Sequence, residues 1–146
     1  CYEYLPKRSE PEWKDFIVGY FSHIYTDLRW TETVYEEFEM NYTGALHDMR
    51  KTYIQEVSQL EFDLLRSMRS SEPLFSLLLK AEGFTIDPFV TQLEVNQYRD
   101  TKVKWLKDLN NEPLITPMYF KIDNIQSFII ETSKELKELF KEWEIL

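Results

Sequence analysis

The sequence predicts an all-α protein with no β-sheet, and two observations carry that prediction. Only 3 glycines occur among the 146 residues, and each stands alone. Tight β-hairpins need glycine-containing turns at short intervals, so this scarcity argues against β architecture. Apolar residues also recur at steps of three or four from Trp13 to Met68, a stretch without proline, which is the period of an amphipathic helix. We expect an elongated helical bundle or a long helical hairpin of four to five helices.

The length favours one domain over residues 1–146, because single globular domains usually contain about 100–200 residues. The residues before the first helix carry a proline and no helical stripe, and a second segment with two prolines separates the last two helices. The predicted elements are an extended arm (1–9), a long helix with or without a kink (10–70), a short helix (72–82), a further helix (88–109), an extended linker (110–122) and a C-terminal helix (123–146).

The predicted helix ends follow from local capping signals. Ser9 and Glu12 have the spacing of a capping box at the start of the long helix. Gly83 is suited to the left-handed position that follows a helix C-terminus. Asp87 and Pro88 are expected to be the N-cap and the first residue of the next helix.

The sequence contains signals both for one continuous helix over residues 10–70 and for two separate helices. Thr33 and Glu36 have the spacing of a second capping box, and Gly44 is unfavourable inside a helix by roughly 1 kcal/mol. The apolar stripe nevertheless keeps its phase through residues 28–38, and we therefore favour one long helix. A continuous helix of that length would exceed a compact domain of this size, so it would fold back near residue 30 or be covered by another copy or a partner.

Charge and composition exclude several function classes. The net charge is −9, from 17 basic and 26 acidic residues, which disfavours binding to nucleic acid or to anionic membranes. The isolated glycines exclude the glycine-rich loops that bind nucleotide phosphates, and we predict no cofactor. No segment approaches the ~18 consecutive apolar residues of a transmembrane helix.

The cysteine and histidine content excludes most familiar catalytic and metal sites. Cys1 is the single cysteine, so an internal disulfide and a thiolate zinc site are excluded. It marks either a boundary within a longer protein, with a cytoplasmic location, or the lipidated first residue of an extracytoplasmic lipoprotein; we favour the first. His23 and His47 lie too far apart on one straight helix to share a metal. With no nucleophile elbow either, we expect no catalytic residue and no enzyme.

The most distinctive polar feature is an acidic strip, which we define as Glu32, Glu36 and Glu39. These residues have the spacing of one helix face, and no lysine or arginine occurs between Arg29 and Arg50. The strip is either a solvated surface or a docking site for a basic partner, anchored by nearby tyrosines. The candidate partner-binding residues are Glu32, Tyr35, Glu36, Glu39 and Tyr42. A basic counterpart occurs later in the chain, at Arg99, Lys102, Lys104 and Lys107.

Two functional hypotheses remain. The first is a non-enzymatic helical protein-interaction or assembly module, either bound to a protein partner or forming a homodimer. The alternative is a ligand-binding sensory or regulatory domain, in which some of the 10 phenylalanines, 9 tyrosines and 4 tryptophans line a pocket for a small apolar ligand.

Overall fold

The computed structural model describes residues 1, 3–68 and 70–145. Within them the regular structure is helical, and the one β-type pairing is an isolated antiparallel bridge between Ile86 and Val90. The all-α prediction is confirmed, and the described residues contain five helical bodies apart from two isolated 3-10 turns, Leu5–Lys7 in the predicted arm and Leu109–Asn111 at the start of the predicted linker. The first body consists of α1 (Pro11–Trp30), a π-helical turn (Thr31–Tyr35) and α2 (Glu36–Asn41). The other four are α3 (Met49–Ser67), α4 (Glu72–Lys80), α5 (Gln92–Lys107) and α6 (Ile122–Glu142).

The chain forms two compact units. The helix-pair unit comprises residues 1–42 and 123–146, and the strap unit comprises residues 43–122. Two compact units are compatible with one domain, and the single-domain interpretation stays a prediction. Residues 2, 69 and 146, which belong to the predicted arm, long helix and C-terminal helix, lie outside the described residues.

In the helix-pair unit, α1 packs antiparallel to α6 through aromatic rings. The ring centroid of Phe21 lies 5.9 Å from that of Phe140 and 4.9 Å from that of Trp143. Nearer the end of α1, Trp30 meets Phe128 edge-on at 5.6 Å. Such edge-to-face pairs each add about 0.5–1.5 kcal/mol beyond the area they bury.

A charged cluster lies between these two sets of ring contacts. Arg29 donates to both carboxylate oxygens of Glu135, at 2.9 and 3.1 Å, and the hydroxyl of Tyr25 donates to the same carboxylate at 3.0 Å. The Arg29 hydrogen bond is the main reason that the pKa of Glu135 lies below its usual value. Burial and the bond to Glu135 raise the pKa of Tyr25.

The strap unit packs three helices and one extended segment, residues 112–121, which we call the strap. Phe120 of the strap is 2% exposed, and its ring meets that of Tyr53 on α3 at 5.5 Å. Phe62 of α3 packs against Trp105 of α5 at 5.2 Å. The other buried apolar residues of this unit are Leu60, Phe75, Ile86 and Val103.

The predicted continuous helix over residues 10–70 is wrong. The first helical body ends at Asn41, the chain is extended at Tyr42, and α3 starts at Met49 after a short 3-10 turn, Leu46–Asp48. Gly44 lies inside this break, as its poor helix propensity would favour. The apolar residues keep their three- and four-residue spacing across residues 42–48, although this segment is not α-helical.

The three- and four-residue steps place Ile24 and Leu28 in the predicted apolar stripe, but neither lies on the packed side of α1. Ile24 and Leu28 are 50% and 52% exposed, whereas Phe21 and Tyr25 make the contacts with α6. The aromatic rings of Phe21 and Tyr25 are larger than the side chains of Ile24 and Leu28, so they offer more area for packing against the rings of α6.

Two predicted helix starts differ from the structure. Glu10, not Ser9, is the N-cap residue of α1, and no side-chain cap bond forms there. Helix α5 starts at Gln92, after a complete capping box formed by Thr91 and Glu94, so Asp87 and Pro88 precede the helix instead of beginning it. The Thr-x-x-Glu pattern satisfies two backbone N–H groups at once, which explains why the helix starts there.

Gly83 does not adopt the predicted left-handed conformation, and α4 has already ended at Lys80. The absence of a side chain at Gly83 instead allows the backbone to pack closely against α5. A Cβ at this position would lie 2.6 Å from Cγ1 of Val95, and its N–H donates to the side-chain oxygen of Asn96 at 3.0 Å. The backbone therefore approaches α5 more closely than any side chain would permit.

Candidate functional surfaces

The acidic strip lies where the first helical body changes its hydrogen-bond register. Glu32 belongs to the π-helical turn, while Glu36 and Glu39 belong to α2. In a π turn the hydrogen bonds run from i to i+5, so the face assumed for an α-helix does not hold between Glu32 and Glu36. The structure therefore keeps Glu36 and Glu39 in helical register and shifts Glu32 relative to them.

The three carboxylates of the strip have different surroundings. Glu32 pairs with Arg29 at 3.3 Å. Glu36 and Glu39 are exposed, and no ion pair to either of them occurs among the described residues. Exposed pairs such as Arg29–Glu32 contribute about 0.2–1 kcal/mol.

The two candidate tyrosines pack along their own helix. Tyr35 and Tyr42 are half-buried, and their rings lie 6.0 and 5.4 Å from that of Phe38, which is 3% exposed. They therefore support a buried phenylalanine. Their role as anchors for a basic partner stays a prediction.

Three of the four basic residues of α5 have partners within the strap unit. Lys102 pairs with Glu61 at 2.7 Å and lies over the ring of Trp105 at 4.6 Å. Lys107 pairs with Glu72 at 3.2 Å. Arg99 pairs with Asp100, and Lys104 is exposed.

Both histidines lie on the surface beside an aspartate. His23 is 3.4 Å from Asp27, and His47 is 3.2 Å from Asp48. Within the described part of the chain, no group of three or more histidine, cysteine, aspartate or glutamate side chains is arranged to hold a metal ion.

Helix α4 carries an apolar surface that the sequence analysis did not single out as a site. We define the leucine surface as Leu74, Leu77 and Leu78, which share one helix face by their i, i+3 and i+4 spacing. They are 38%, 68% and 41% exposed, while Phe75 on another face of the helix is 4% exposed. The sequence already indicates such a surface, because residues 73–80 are apolar on most sides of a helix that is too short to bury every side.

A second feature missed by the sequence analysis is a polar clamp on α3, formed by Glu56, Gln59, Asp63 and Arg66. One carboxylate oxygen of Glu56 accepts the backbone N–H groups of Tyr119 and Phe120 at 2.8 and 3.2 Å. Glu56 is 5% exposed. The clamp therefore satisfies donors that the extended strap brings into the core, where an unpaired donor costs about 1–3 kcal/mol.

The other end of the strap is held by a charged network. The Gln59 side chain donates to Glu112 at 2.7 Å and accepts the N–H of Ile115 at 3.2 Å. Arg66 donates to both Asp63 and Glu112, at 2.5 and 2.6 Å. The bonds from Arg66 and Gln59 lower the pKa of Glu112.

Among the helices of the described residues, none is long and apolar enough to cross a bilayer. Comparisons of the chain with models of protein families, with curated proteins and with solved structures find no match.

Proposed function

We propose that this protein is a non-enzymatic helical assembly module that self-associates through the leucine surface of α4. The observation that supports the proposal is the exposure of Leu74, Leu77 and Leu78 on one helix face. Contiguous apolar surface on a folded chain is typical of an interface. Burial of such surface stabilises association by roughly 25 cal/mol per Å².

A second copy of the chain is the occupant that this chemistry favours. The face consists of leucines alone, so it is complementary to itself and its pairing buries no unpaired charge. In an antiparallel pair related by a two-fold axis, Leu74 of one copy faces Leu78 of the other and Leu77 lies near the axis. A single helix of 9 residues buries less than the ~1,200 Å² of a stable interface, so we expect a weak dimer with a dissociation constant in the micromolar range or above.

Sedimentation equilibrium at protein concentrations up to about 1 mM tests the proposal. We expect a monomer–dimer equilibrium for the wild type and a monomer for Leu77→Glu. The matched control is Leu46→Glu, because Leu46 is 85% exposed on a different element and should leave the dimer intact. A wild type that stays monomeric throughout, or a control that dissociates the dimer as Leu77→Glu does, would overturn the proposal.

A further inference from the structure

A pocket of about 310 Å³ lies within the strap unit, between α3, α4 and the end of α5. Its apolar lining includes Phe62, Leu65, Phe75 and Leu106. Leu109, which also lines it, is 72% exposed. Pockets for small molecules usually have volumes of about 300–1,000 Å³, so this one has room for a compact ligand with an apolar body.

The charged side chains of the pocket carry more hydrogen-bond donors than acceptors, and Ser71 adds a hydroxyl that can do both. Lys107 and Arg66 both line it, and their side chains carry donors only. The carboxylate of Glu72, also in the lining, accepts from Lys107 at 3.4 Å. The Nε and Nη1 groups of Arg66 have no partner among the described residues, because its bonds to Asp63 and Glu112 both use Nη2. Lys107 also retains a donor, because its ammonium carries three N–H groups and the pair with Glu72 uses at most two of them, so it can donate to an acceptor on a ligand.

The charges around the pocket select an uncharged acceptor. Arg66 is paired with two carboxylates, those of Asp63 and Glu112, and Lys107 is paired with the carboxylate of Glu72. Because each cation and each carboxylate is already paired, neither a charged anion nor a charged cation meets an unpaired opposite charge here, whereas a carbonyl oxygen accepts a hydrogen bond without needing one.

We infer that this pocket binds a small uncharged amphipathic molecule, with its apolar body against the phenylalanines and leucines and a carbonyl acceptor directed to Lys107. The site is separate from the leucine surface, because Phe75 and Glu72, which line the pocket, lie on another face of α4. A test that overturns self-association would therefore leave the inference about this pocket unaffected, and the reverse also holds.

Titrations with three eight-carbon probes, followed by the side-chain methyl NMR signals of Leu65, Leu106 and Leu109, test the inference. Octanamide has a carbonyl acceptor, octanoate is an anion and octylammonium offers donors only. We expect octanamide to bind at least tenfold more tightly than octylammonium, and more tightly than octanoate. Equal binding of octanamide and octylammonium, tightest binding of octanoate, or no shift of these methyl signals with octanamide would overturn it.

A matched pair of variants locates the acceptor contact. Lys107→Met removes the donors and keeps most of the side-chain stem, and we expect it to weaken octanamide binding about fivefold, the effect of one hydrogen bond. Lys104→Met removes an exposed lysine of the same helix that does not line the pocket and should leave the affinity unchanged. Equal affinities of the two variants for octanamide would contradict the assigned position of the carbonyl group.

Discussion

The two units of this molecule provide hydrogen-bond partners for their buried backbone N–H and C=O groups in different ways. In the helix-pair unit the packed segments α1 and α6 are helices, which satisfy their own N–H and C=O groups, so ring contacts such as Phe21–Trp143 are enough to join them. In the strap unit an extended segment enters the core, and side chains of α3 must accept its N–H groups. The difference teaches that a buried polar residue such as Glu56 can be required by a backbone distant in sequence.

The largest expected effect comes from the residue that anchors the strap. Phe120→Ala should lower the free energy of unfolding by about 3–5 kcal/mol, because it removes a ring that is 2% exposed and leaves a cavity. Urea denaturation followed by circular dichroism measures the loss. Phe89→Ala is the control, since that ring is 65% exposed, and the same assay should show a loss below about 1 kcal/mol. Similar losses for both variants would contradict the anchoring role of the strap.

Removal of one carboxylate from each unit tests the comparison directly. Glu56→Leu should cost about 2–4 kcal/mol, because it leaves the N–H groups of Tyr119 and Phe120 without an acceptor in the core. Glu135→Leu in the helix-pair unit should cost about 0.5–1 kcal/mol, because its pair with Arg29 is partly exposed and screened by solvent. Hydrogen exchange should also show lost protection at the amides of Tyr119 and Phe120 in the first variant. If Glu135→Leu proved the more destabilising, the proposed contrast between the units would be wrong.

Two glycines give opposite predictions for the same substitution. Gly83→Ala should destabilise the protein by about 1–3 kcal/mol, because the added Cβ would overlap the side chain of Val95. Gly19→Ala should stabilise it by roughly 0.5–1 kcal/mol, because Gly19 lies inside α1 and the added Cβ would meet nothing within 4 Å beyond its chain neighbours and the adjacent backbone of its own helix. Thermal or urea denaturation of both variants measures the difference, and Val95→Ala should relieve part of the cost of Gly83→Ala. A loss of stability in Gly19→Ala would contradict the exposed position assigned to that glycine.

A smaller effect is expected from acid pH, to which both units contribute. The pKa of Glu112 is lowered mainly by Arg66, and the pKa of Glu135 mainly by Arg29. Because each folded-state pKa lies below the unfolded value of about 4.3, the stabilisation is complete above that value and is lost as the pH falls through the folded-state pKa.

Urea denaturation between pH 7 and pH 2 measures this loss. Glu112→Gln and Glu135→Gln should each make the free energy of unfolding less dependent on pH in the acid range. Glu82→Gln, which changes an exposed glutamate, should follow the wild-type profile. Profiles that coincide for all four proteins would show that neither pair contributes to acid sensitivity.

Local sequence patterns predict the helical parts of the fold well. Helix α6 is an example, since Ile125, Thr132 and Phe140 have helical spacing and are buried. The break after Asn41 was missed because the apolar period continues by chance across a segment that contains Gly44. A period of three or four residues states which side chains could share a face and does not require that the chain between them be helical.

The clamp and the π-helical turn lie beyond what one sequence reveals. Glu56 bonds to the backbone of Tyr119, 63 residues later, and neither residue carries a local signal of the other. The exposure of Glu36 and Glu39 was predictable from their charge. The displacement of Glu32 was not, because it depends on the hydrogen-bond register of the turn from Thr31 to Tyr35.

The most direct test of the proposed self-association is a disulfide between two copies at Leu77. Cys1 is the only cysteine of the chain, so a Cys1→Ser background leaves Leu77→Cys as the single thiol. A two-fold axis near this residue predicts that mild oxidation joins two copies through the new cysteine, since the Cα atoms of a disulfide lie about 4.4–6.8 Å apart. The same change at Leu46, which is 85% exposed, should give far less of the joined product at equal concentration. Equal yields at the two positions, or no joined product from Leu77→Cys, would contradict assembly through α4.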